Sequence, residues 1–172
     1  NIVKELDIEP SDAFTRLEYN SEAFELYLQS KSVYSLSDNY DDNLKAVELM
    51  KQAISKDENI VMAQLYLGIM QIELGNNEEA SKIYDRALSK SKSLQDNASI
   101  AEALRKQGQL LRRNKDYDGA IAKFGEALSI STVMNDKSTM AKTLNSMAIL
   151  NYRTNDKDNA LKNWLQALGI VE

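Results

Sequence analysis

The chain has 172 residues with 21 Lys/Arg against 26 Asp/Glu, and its net charge of −5 argues against a general affinity for nucleic acid. Cysteine and histidine are both absent, which removes disulfides, thiolate nucleophiles, Cys/His zinc sites and histidine acid–base catalysis together. An apolar content of 43% with a single proline and six glycines favours one all-α unit of long helices, and no strand-like alternation interrupts it.

Residues 1–20 form an N-terminal segment whose Val3, Leu6, Ile8, Phe14 and Leu17 need cover, so the segment is expected to pack on the remainder. No charged-then-apolar leader opens it, and no run approaches the roughly 18 apolar residues of a membrane span. Without an initial methionine the chain reads as a domain cut from a larger protein.

From residue 21 onward one pattern recurs four times. An alanine is followed four residues later by a large side chain and seven later by another alanine, which places all three on one helix face. The units are Ala46-Met50-Ala53, Ala80-Tyr84-Ala87, Ala120-Phe124-Ala127 and Ala160-Trp164-Ala167. Met50, Tyr84, Phe124 and Trp164 are therefore expected in one buried slot of successive units. The first unit, 24–57, is degenerate: Tyr27, Lys31 and Tyr34 precede Ala46 across an acidic turn, Asp38–Asn43. That turn is no calcium loop, because the required glycine is missing and its twelfth position is Leu49. In the second (61–94), third (101–134) and fourth (141–172) units a small residue, Gly68, Gly108 or Ala148, stands twelve positions before the first alanine. Polar breaks at Gly75-Asn76-Asn77, Asn114-Lys115-Asp116 and Asn155-Asp156 divide each unit into helix, turn, helix.

This arrangement resembles the tetratricopeptide repeat (TPR), carried by Leu67, Gly68, Ala80, Tyr84 and Ala87, by Leu104, Gly108, Leu111, Ala120, Phe124 and Ala127, and by Leu144, Ala148, Ala160, Trp164 and Ala167. The resemblance implies an α-solenoid of about four antiparallel helix pairs. The first alanines are 34, then 40, then 40 residues apart, and the added residues in 91–98 and 131–138 are expected to lengthen helices rather than loops. Such longer units look like those of kinesin light chains, spindle-orientation adaptors and bacterial signalling proteins. The stretches Asn20–Lys31 and Lys45–Asp57 are similar to TPR regions that follow a winged-helix domain (CadC-type regulators), a serine/threonine kinase or a nucleotide cyclase. The setting so implied is bacterial and regulatory, cytoplasmic, or periplasmic in a membrane-anchored regulator.

The resemblance implies a non-enzymatic module for a protein or peptide partner. It turns the fifth, ninth and twelfth positions of each first helix toward a concave groove: Leu65, Ile69 and Ile72, then Arg105, Gln109 and Arg112, then Asn145, Ile149 and Tyr152. A groove running from apolar to cationic to amide-lined suits a peptide with a hydrophobic end and an acidic portion. Two alternatives stay open: solvated arginines, and an apolar end covered by the N-terminal segment. At the positions that co-chaperone TPRs use to clamp chaperone tails the chain carries Leu28, Ser32, Tyr66, Glu102 and Lys106, of which only the last is basic; such a tail is not the expected partner. No phosphate-binding loop, dinucleotide turn or nucleophile elbow occurs, and Asp116/Asp118 and Asp156/Asp158 fall where helix caps are expected, so no cofactor or metal is expected. The last helix presents Leu161, Leu165, Leu168 and Ile170. It is expected to meet further repeats or another copy, and a homodimer through this helix is the alternative, self-assembling role.

Overall fold

The computed structural model describes residues 19–36 and 39–171. These form eight helices: α1 (Ser21–Leu36), α2 (Tyr40–Lys56), α3 (Val61–Glu73), α4 (Asn77–Ser93), α5 (Asn97–Arg113), α6 (Tyr117–Val133), α7 (Lys137–Arg153) and α8 (Lys157–Val171). The expected burial of the N-terminal apolar residues falls on residues outside this description. Sequential helices pack as hairpins, and each hairpin stacks on the next through α2 and α3, α4 and α5, and α6 and α7. Further contacts of α3 with α5 and α5 with α7 put these first helices on the inner side of the curve. The architecture is the α-solenoid that the alanine units imply.

The turns explain the longer period. Gly75, Gln95, Lys115, Asn135 and Asn155 all have positive φ, from 54° to 83°, and recur every twenty residues. Each ends a helix in the left-handed conformation, after which the chain re-enters a helix through a cap. Asp96, Asp116, Asp136 and Asp156 accept from the backbone N–H three residues on, at 3.0–3.2 Å. A seventeen-residue helix and a three-residue turn thus alternate from α4 to α7. The shorter first step arises because α2 stops at Lys56, one turn past Ala53, and α3 has only 13 residues. The acidic stretch after residue 38 proves to be the start of a helix rather than a turn: Asn39 caps α2, accepting from Asp42 N–H at 2.8 Å.

Packing follows the small–large–small units. Ala46, Met50, Ala53, Ala80, Tyr84, Ala87, Ala120, Phe124 and Ala127 are all at most 1% exposed. Gly68 and Gly108 are notches for the rings: a Cβ on Gly108 would lie 2.6 Å from Phe124 Cε1, and one on Gly68 would collide with Tyr84 Cε1. The fourth unit corrects the expectation of a uniform core. Ala148 and Ala160 are buried, but Trp164 is 38% exposed and Ala167 only half-buried. Ala148 stands where Gly68 and Gly108 receive a ring, and among the described residues no helix packs over the far side of α8.

Candidate functional site

A cavity of about 500 Å³ runs along the inner side from Tyr19 across α3 and α5 to α7. Its walls come from two positions of the forty-residue register. One gives Met62, Glu102 and Lys142; the other, one helical turn later, gives Tyr66 and Lys106. Leu65 and Ile69 complete an apolar wall on α3, while Ser99, Ser138 and Thr139 sit at the N-terminal ends of α5 and α7. Lys31 extends the wall toward α1, its Nζ 4.8 Å from the centre of the Tyr66 ring and 5.3 Å from that of Tyr27.

The charges are arranged unequally. Glu102 accepts from Arg105 Nε at 2.9 Å and Nη2 at 2.5 Å, with Lys106 Nζ farther off at 3.8 Å. Burial by itself would raise the Glu102 carboxyl, but Arg105 above all, then Lys106 and Lys142, hold it below its usual value. The same burial, with Arg105 and Lys142 as like-charged neighbours, lowers the Lys106 ammonium. Arg105 therefore makes the closer pairing with Glu102, Lys106 shares that carboxylate at 3.8 Å, and Lys142 lines the cavity together with Asp96 and Asp136.

The nine groove residues expected from the repeat register do not converge. Leu65 and Ile69 line the cavity, although Leu65 is 1% exposed and packs with Ala80, Tyr84 and Ala103 as its floor. Ile72 is half-buried against that same cluster. Arg105, expected as a free groove cation, is 6% exposed and closed onto Glu102. Gln109 is a strut, its Nε2 donating to Ser146 Oγ on α7 at 3.2 Å. Arg112 is half-buried, and burial, then Arg153, lowers its guanidinium. Asn145 accepts from Trp164 Nε1 at 3.0 Å, and the exposed Tyr152 ring lies 6.1 Å from that indole. Those two residues belong to the α8 end, while Ile149 is half-buried on α7. The residues missed are Met62 and Lys142 as lining groups; Tyr66, Glu102 and Lys106, named only at the positions of the chaperone-tail clamp, line it too. Their signal was the change of chemistry at fixed register, Met to Glu to Lys.

Comparison with known proteins agrees with this architecture. Residues 59–132, the second and third hairpins, match the tetratricopeptide repeat family model. No curated protein matches the chain. Among solved structures, that of MamA is 18% identical over 86% of this chain and 77% of its own, with a TM-score of 0.62. The TPR domain of Arabidopsis FLU is 22% identical over 64% of this chain and 93% of its own, with a TM-score of 0.58. BtubC from P. vanneervenii is 18% identical with a TM-score of 0.68; the match covers 86% of this chain and 64% of that one. These similarities show the fold, a TPR superhelix.

Proposed function

We propose that this chain is a non-enzymatic peptide-binding module whose ligand lies along α3, α5 and α7. The observation that carries the reading is the divided cavity: Met62, Leu65, Tyr66 and Ile69 on one side, Lys106 and Lys142 beside Glu102 on the other, with the carboxylates of Asp96 and Asp136 engaged as caps of α5 and α7. An apolar side chain of the partner desolvates against α3, and an acidic one two to three residues away meets Lys142 and Lys106, the latter shared with Glu102 at 3.8 Å. The helices are rigid, so recognition needs little reorganisation of the groove. We further propose that the module is the sensory or docking part of a larger bacterial signalling or transcription-regulatory protein, a reading supported by the resemblance at Asn20–Lys31 and Lys45–Asp57. Among the described residues no helix is long and apolar enough to cross a membrane.

Selection from a random peptide display tests the groove. Enriched sequences should pair an acidic with an apolar residue, and Lys106→Glu with Lys142→Glu should weaken a selected peptide at least about tenfold, the equivalent of roughly 1.4 kcal/mol. Retained affinity in that double variant would sink the reading. A second reading, self-assembly, is favoured by one separate observation, the uncovered apolar face of α8.

A further inference from the structure

The cavity along α3, α5 and α7 opens beside the point where the chain enters the array. Tyr19 lines it, and the next residue is fixed: Asn20 donates its N–H to Asp57 Oδ2 at 2.9 Å, and its side chain accepts from Ala23 N–H at 3.0 Å. Whatever precedes Tyr19 therefore sets out from the α3 end of the cavity. Eighteen residues do, and their chemistry changes along the chain. Counted back from Tyr19, Leu17 and Phe14 come first, then the carboxylates Asp12, Glu9 and Asp7. The cavity changes in the same order with distance from Tyr19. The apolar wall on α3 comes first, then Lys106 on α5 and Lys142 on α7.

We infer that residues 1–18 occupy this groove in cis, Leu17 and Phe14 against α3 and Asp12 and Glu9 at Lys106 and Lys142, so that a partner peptide has to displace them; the inference rests on the groove being the peptide site. Reach permits this register. Packed helices lie about 10 Å apart, which puts α5 about 10 Å and α7 about 20 Å from α3. Phe14, five residues from Tyr19, extends up to about 17 Å, and Asp12, seven away, up to about 24 Å. Pro10 disfavours helix at Glu9, which suits a chain that crosses helices. Charge agrees as well. The segment carries Glu5, Asp7, Glu9, Asp12 and Glu18 against Lys4 and Arg16. The cavity's own carboxylates are engaged, Asp96 and Asp136 as caps and Glu102 with Arg105. Burial of Leu17 and Phe14 supplies affinity, and the carboxylates fix the register. Tethering to α1 sets an effective concentration on the order of 1 mM. A segment whose free peptide binds at about 0.1 mM then fills the groove about nine-tenths of the time and weakens an external peptide about tenfold.

The test uses the full chain with Phe14→Ser and Leu17→Ser, and separately with Glu9→Lys and Asp12→Lys, which keeps the apolar residues. By calorimetry a display-selected peptide should bind either variant about tenfold tighter than it binds the unsubstituted chain. A synthetic peptide of residues 1–18 should bind the serine variant, and adding Lys106→Glu and Lys142→Glu should abolish that binding. Equal affinity of the selected peptide for the unsubstituted chain and both variants overturns cis occupation, while the groove reading stands. A 1–18 peptide that binds without regard to the lysine substitutions places the segment elsewhere and overturns the inference too. Selection against the unsubstituted chain and the serine variant that yields no lysine-dependent peptide sinks the groove reading and the inference together.

Discussion

Gly108 and Gly125 stand seventeen residues apart and have opposite meanings. The first is a notch into which Phe124 fits; the second, on the exposed side of α6, has nothing within 4 Å of where a Cβ would sit. Gly108→Ala is therefore expected to destabilise by about 1–3 kcal/mol through overpacking, whereas Gly125→Ala should stabilise by up to about 1 kcal/mol through helix propensity. Thermal denaturation of the two variants reads both signs, and equal effects would contradict the notch. Glu102 adds a pH-dependent contribution. Its carboxyl is held below the ordinary value of 4.5 by Arg105 against the effect of burial, so its stabilisation is complete above that value and is lost as the pH falls through the depressed one. Denaturant midpoints should decline on acidification below about pH 4.5, and Glu102→Gln should flatten that decline. At this scale the sequence was legible where chemistry is repeated and opaque where it is not. Tyr84 and Phe124 were readable as core from their recurrence. Arg105 was misread because spacing shows which face a residue shares, not that Glu102 one turn earlier already holds its guanidinium.

The helices owe their lengths to the twenty-residue rhythm of left-handed closure and aspartate cap. Asp136 accepts from Thr139 N–H at 3.0 Å at the start of α7, and its replacement by alanine is expected to cost about 1 kcal/mol. Lys115 closes α5 at φ 67° without being glycine, so Lys115→Gly should gain up to about 1 kcal/mol by relieving left-handed strain. Urea midpoints at unchanged slope would check both, and a loss on Lys115→Gly would mean its side chain contributes more than its backbone costs. The closures at Gly75, Lys115 and Asn155 were visible in the sequence as polar breaks, since glycine, asparagine and aspartate act locally, whereas those at Gln95 and Asn135 lie in stretches read only as lengthened helices. The first hairpin was less legible, because the acidic residues that suggested a turn are instead the first turn of α2, where they suit the helix dipole.

Across the whole molecule the two candidate interaction surfaces are separate, one lining α3, α5 and α7 and the other on the outer face of α8. Leu165→Glu should consequently leave peptide capture intact, and the paired lysine substitutions should leave the sedimentation behaviour unchanged. The sequence alone determined the helix pairs, their number and the order of their stacking, because repeated small–large–small faces can be buried only by repeating the same hairpin contact. It also marked α8 as a helix that presents several leucines, and these are exposed. Only the tertiary structure decided which side chains face the cavity. That depends on how far each helix is rotated about its axis, and the rotation is set by contacts between hairpins: rings entering the Gly68 and Gly108 notches, Gln109 bridging to Ser146, and Arg105 closing on Glu102. The same contacts decided the position of Trp164. Its place in the repeat promised burial, but among the described residues no helix packs over the far side of α8 and the indole is 38% exposed.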